Sequence, residues 1–166
     1  MKERLGYVSN SSSSSFIVIS TDPVKQEYID STKTLLKTIS WDYKDNIIML
    51  PNKEGEMQFG WQHEEYHGII DKLNFCAIQI CYLKRDNDDR WEQYFEMLRD
   101  VVYSNFSVNI DIKWFEEDEY CTDYYIDHQS SAEEGQNIEM FADEGKLEDF
   151  ICNPKSHIFN SNDNSY

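Results

Sequence analysis

Residues 89–114, DRWEQYFEMLRDVVYSNFSVNIDIKW, change their apolar period half-way, and that change decides the fold class. Trp91, Phe95, Leu98 and Val102 recur at the three- and four-residue spacing that lines one face of a helix. Asp89, with Glu92 three positions later, has the form of a capping box, so a helix is expected from there to about Tyr103. From Val108 onward the period becomes two. Val108, Ile110, Ile112 and Trp114 alternate with Asn109, Asp111 and Lys113, the pattern of a strand with one wet face.

Working toward the C-terminus, a second strand is expected over Thr122 to Asp127, a short helix near Asp143 to Ile151 and a last strand near Ser156 to Asn160. Toward the N-terminus, Ile70, Leu73, Ala77 and Ile80 keep helical spacing, although Asn74 to Leu83 also suits a buried strand; helix is the favoured reading. Asn46 to Leu50 and Met57 to Trp61 flank Pro51-Asn52-Lys53-Glu54-Gly55 and read as a hairpin. Asp22-Pro23 has the form of an N-cap and first helical position, opening a helix to about Ile39 with Val24, Tyr28, Leu35 and Ile39 on its apolar face. Phe16 to Ile19, short and β-branched, reads as a buried strand. The expected fold is therefore α+β: one domain over residues 1–166, two layers, a mainly antiparallel sheet with helices packed on one side. Residues 1–15 are expected as a serine-rich arm or loop and 161–166 as a frayed tail, neither with regular structure.

The 166 residues, 40% of them apolar, suffice for one core. With 32 acidic against 15 basic residues the net charge is −17, so direct contact with nucleic acid or an anionic membrane surface is opposed electrostatically. Aromatic residues make up 14% of the chain, which separates it from disordered acidic tails. The N-terminus carries no apolar stretch of signal-peptide form, and no run approaches the ~20 residues of a membrane span, so a cytoplasmic protein is expected. Cys76, Cys81, Cys121 and Cys152 include no C-x-x-C pair and are expected as reduced, packed thiols.

The charge is unevenly spread. Residues 1–83 carry −3 and residues 84–166 carry −14; between Asp111 and Asp149 only Lys113 and Lys146 oppose fourteen acids. The ordinary reading of such a run is a solvated surface. The sharper reading is a partner-binding face, with Glu116, Glu117, Asp118 and Glu119 steering a basic surface and Trp114, Phe115 and Tyr120 as aromatic anchors.

His63-Glu64-Glu65-Tyr66-His67 satisfies H-E-x-x-H. On a helix, His63 and His67 would share a face and hold zinc, with Glu64 as general base for a bound water. The charged Glu65 inside the motif and the flanking Gly60 and Gly68 count against it, and Glu92 and Glu96 offer a third ligand by sequence distance only. The simpler expectation is two exposed histidines on a helix's first turn, with no cofactor. Asp127-His128-Gln129-Ser130 invites a nucleophile reading. In an extended strand Asp127 points away from His128, while His128 and Ser130 share a face about 7 Å apart. A hydrogen-bonding turn is the simpler expectation. The tract Ser9 to Ser15 lacks the glycine-lysine arrangement of a phosphate loop.

The string Gly6-Tyr7-Val8-Ser9-Asn10 through Phe16, with Lys72-Leu73-Asn74-Phe75, Ile126 to Ser130 and Asn162-Asp163-Asn164-Ser165, resembles a family of small uncharacterised proteins encoded by bacteriophages and some bacteria. The resemblance implies a phage or mobile-element origin and transfers no catalytic residues. H-E-x-x-H is not a feature of that family. The expected function is an acidic accessory protein that binds a basic host protein, such as a nucleic-acid-binding or defence protein. The competing expectation is a hydrolase or transferase, zinc-dependent through His63, Glu64 and His67 or using His128 with Ser130 or a serine of the Ser9 to Ser15 tract.

Overall fold

A computed structural model describes residues 2–5, 13–52, 57–59, 64–114, 124–126 and 138–162. Their centre is a helix. Ile69–Arg85 (α2) has every residue from Lys72 to Leu83 buried. A helix enclosed on all sides loses the one-sided pattern that marks surface helices, which is why its periodicity alone left helix and strand open. Around it pack Arg90–Phe106 (α3) and Glu144–Cys152 (α4), with Gln26–Trp41 (α1) against α3.

The sheet is mixed. Lys2–Leu5 (β1), Ser13–Ser20 (β2), His157–Asn162 (β8) and Glu65–Tyr66 (β5) form a four-stranded antiparallel sheet in the order β1-β2-β8-β5. Beside it, Ile47–Leu50 (β3) pairs in parallel with Asn109–Ile112 (β6), and Met57–Phe59 (β4) with Tyr124–Ile126 (β7). The fold is α+β.

Among the described residues, the two arms of the hairpin expected across Pro51 to Gly55 pair with other strands and not with each other. Ile48 and Leu50 lie beside Ile110 and Ile112 in the β3–β6 register, and all four are buried. Asn52 is drawn instead to α2, where the Asn74 amide accepts from its backbone N–H at 2.6 Å and donates to its carbonyl at 3.1 Å.

Two caps differ from the sequence reading. α1 begins at Gln26, and Asp22 accepts from Lys155 Nζ at 2.8 Å rather than capping the helix. At α3, Asp89 makes no side-chain cap bond; Asp88 Oδ1 accepts from the Arg90 N–H at 3.0 Å. The buried stripe of α1 is Thr32, Leu36 and Ser40, whereas Leu35 is 48% exposed. α3 runs through Phe106 and stops at Ser107, whose φ of 54° ends the helix as its N–H reaches the Tyr103 carbonyl. β6 buries Ile110 and Ile112 and exposes Asn109 and Asp111, as the alternation required. The Asp143 side chain caps α4 by accepting from the Lys146 N–H at 2.8 Å.

Candidate functional site

The short strand β5 brings together side chains that lie far apart in sequence. Antiparallel register sets Glu65 opposite Phe159 and Tyr66 opposite Ile158. The next opposed pair is His67 and His157, whose rings stack with centroids 4.3 Å apart. Because strand side chains alternate, Glu65 shares the face of His67. Glu65 Oε2 lies 2.9 Å from His67 Nε2, and one ligand atom from each of Glu65, His67 and His157 falls within 4.8 Å of the others. The Glu65 and His67 side chains are about half exposed, at 54% and 47%.

The other nitrogen of each ring faces a carbonyl of one turn. His67 Nδ1 is 3.4 Å from the Pro154 carbonyl oxygen, and His157 Nδ1 is 3.0 Å from that of Lys155. That turn is held from three directions. Lys72, fully buried on α2, donates from Nζ to the carbonyls of Asn153 at 2.9 Å and Ser156 at 3.3 Å. Asn153 Nδ2 donates to the carbonyls of Ser20 and Asp22, both at 2.8 Å. Ser156 Oγ accepts from the Ser20 N–H at 2.8 Å and donates to the Asp149 carbonyl at 2.7 Å. Burial pushes the Lys72 amine down to about 8, while the nearby Cys152 and Cys76 sulfurs act weakly in the opposite direction.

Glu64 and Tyr66 occupy the opposite face of the strand. The Tyr66 hydroxyl donates to Glu64 Oε2 at 2.5 Å, and its ring meets Phe59 edge-on at 5.1 Å. Burial, and then the Glu64 carboxylate, raise the Tyr66 hydroxyl above its ordinary range. Residues 64–67 therefore lack the helical geometry an H-E-x-x-H zinc site requires. Glu65–Tyr66 is strand, α2 starts only at Ile69, and Glu64 points away from His67. His63 lies outside the described residues. Nothing in the linear sequence singled out His157; only the β5–β8 register places it beside His67.

Of the acidic face, Trp114 is described, while Phe115, Glu116, Glu117, Asp118, Glu119 and Tyr120 lie outside the described residues, as do His128 and Ser130. Trp114 is half-buried and edge-on to Trp91 at 5.2 Å and to Phe95 at 5.5 Å. Lys84 Nζ sits 3.8 Å from the Trp114 ring centre and 4.4 Å from that of Trp91. Glu92 and Glu96 line the groove beside this cluster together with Arg99. On α4 and its cap, Asp143, Glu144 and Glu148 are exposed, and among the described residues none of them forms an ion pair. Partial burial, followed by the charges of Glu148 and Asp143, raises the Asp149 carboxyl above its usual range.

No helix among the described residues is long and apolar enough to cross a membrane. Comparison with protein-family models, with curated proteins and with solved structures gives no match.

Proposed function

We propose that this chain is a binding protein whose acidic second half engages a basic surface of another protein. The observation that carries the reading is uncompensated negative charge. Residues 111–149 hold a net −12, and Asp143, Glu144 and Glu148 stand exposed without basic partners among the described residues. Asp149 is raised first by partial burial, and the charges of Glu148 and Asp143 add to that in the same direction. Such a field draws in a cationic partner over distances of about a Debye length, ~8–10 Å in ordinary salt. Glu116 to Glu119 supply its densest part, with Trp114, Phe115 and Tyr120 as anchors. The resemblance of the Gly6 to Phe16 string to phage-encoded proteins supports a host protein as target, including one that normally holds nucleic acid in a basic groove.

The test begins with capture from host lysate at low and moderate salt, comparing the native protein with a variant carrying lysine at 116 to 119. Any protein captured is then purified and its affinity for both forms measured against salt. Tight binding that weakens steeply with salt in the native protein, and is lost in the variant, is the expected result. Equal affinity and equal salt slope for the two forms would end the proposal.

A further inference from the structure

We propose that Glu65, His67 and His157 form a binding site for a divalent transition metal of the zinc class, independent of the acidic face.

The surroundings of His67 point to it. Its Nδ1 faces the Pro154 carbonyl and its Nε2 faces the Glu65 carboxylate, so both nitrogens look at groups that only accept hydrogen bonds. A neutral imidazole has one N–H and satisfies one of them. A metal shared by Nε2 and the Glu65 carboxylate would satisfy the second. Two donors that bind one zinc at ~2.1 Å each, at an angle between a right angle and the tetrahedral value, lie about 3.0–3.4 Å apart. The Glu65 to His67 separation of 2.9 Å is close to that range.

His157 supplies what a simple ion pair would not need. Its Nδ1 lies 3.0 Å from the Lys155 carbonyl, and in the tautomer that donates this hydrogen bond Nε2 is free to bind a metal. Its ring stacks on that of His67 with centroids 4.3 Å apart, which sets the two imidazoles side by side at the rim. One ligand atom from each of Glu65, His67 and His157 lies within 4.8 Å of the others, and side-chain rotation is needed to close these distances to those of zinc bonds. Metal-bound histidines commonly donate their second N–H to a backbone carbonyl, and here the two carbonyls belong to consecutive residues, Pro154 and Lys155. The turn carrying them is fixed by Lys72, Asn153 and Ser156, so the two carbonyls that face the rings are in place before any metal arrives.

Two imidazoles and one carboxylate suit zinc, cobalt, nickel or copper, whereas magnesium and calcium prefer all-oxygen sites. The half-exposed rim leaves the remaining coordination positions to water.

The test uses the full chain without a histidine tag. Zn²⁺ is titrated calorimetrically, and Co²⁺ by its visible absorption. One equivalent of either metal is expected. His157→Ala and His67→Ala should each weaken binding by on the order of tenfold or more, whereas His63→Ala and His128→Ala should stay within about twofold. Nitrogen-detected NMR of the native protein provides a reading without mutation: Zn²⁺ should shift the Nε2 resonances of His67 and His157 while both Nδ1 protons remain. Three results would each overturn the site. These are no stoichiometric uptake of either metal, uptake that survives His157→Ala but is lost in His63→Ala, or a His67 Nε2 resonance that saturating Zn²⁺ leaves unmoved.

Discussion

Lys72 Nζ lies 2.9 Å from the backbone carbonyl of Asn153, in a position with no solvent exposure, and its other described partner is the carbonyl of Ser156. A buried amine held by carbonyls titrates low, here to about 8 against about 10.4 in the unfolded chain. Between those pH values the unfolded state binds more protons, so this group adds stability as pH rises and contributes no slope below about 8. Chemical denaturation of the native protein and of Lys72→Met at pH 7.5 and pH 10 should show the difference between them growing in favour of the native protein by up to about 3 kcal/mol. The buried thiols Cys76 and Cys152 are both raised, Cys152 to about 12, and act in the opposite direction in both proteins. Parallel pH profiles for the two would mean that the amine is not desolvated.

Asn74 should be a large single contributor to stability. Its amide completes both backbone groups of Asn52 from a fully buried position. Asn74→Ala leaves a donor and an acceptor unpaired and should cost about 2–3 kcal/mol, seen as a lower urea midpoint at unchanged slope. Asn74→Asp should fare no better, since it sets a carboxylate against the Asn52 carbonyl. A loss under about 0.5 kcal/mol for the alanine variant would show that water replaces the amide.

The ammonium of Lys84 lies over two tryptophan rings, and that contact has an optical readout. Lys84→Ala should change the intrinsic fluorescence and cost about 1 kcal/mol, while Lys84→Arg keeps most of the stability. If alanine and arginine behave alike, the stacking contributes nothing.

Asp149 and Asp22 should move in opposite directions when a charged neighbour is removed. Asp149 is raised by burial and then by Glu148 and Asp143, so Glu148→Gln should lower its pKa. A raised carboxyl opposes folding at neutral pH, an effect relieved as pH falls through its folded value, so the variant gains a little stability near pH 7. Asp22 is lowered by its hydrogen bond and charge contact with Lys155, and Lys155→Ala should raise it. Carboxyl NMR titration reads both, and an unmoved Asp149 would show that the acidic face is already neutralised by counterions.

The stretch from α3 to β6 was legible because each element has one wet and one dry side, which writes its period into the sequence. In α1 the buried stripe lies one residue on from the face its apolar residues predict. Leu35 and Leu36 are adjacent, and the neighbours that share the buried side with Leu36 are Thr32 and Ser40, which carry little hydrophobic signal. The β3 to β6 pairing joins segments about sixty residues apart, whereas Pro51 to Gly55 supplied a strong local turn signal pointing to the wrong partner. His157 was invisible for the same reason. A cluster assembled by register between a two-residue strand and a distant one leaves no spacing to recognise.

The pairing of β2 with β8 also sets an order of events during synthesis. Ser15 and Asn160, hydrogen-bonded across that ladder at 2.9 Å, are 145 positions apart. At roughly 5–20 residues per second, a ribosome makes the second on the order of ten seconds after the first. Throughout that interval the apolar edge of β2, with Phe16 and Ile17, waits for its inner neighbour. The nascent chain must therefore be shielded until β8 appears, and a chain truncated before His157 should be recovered bound to chaperones or in aggregates.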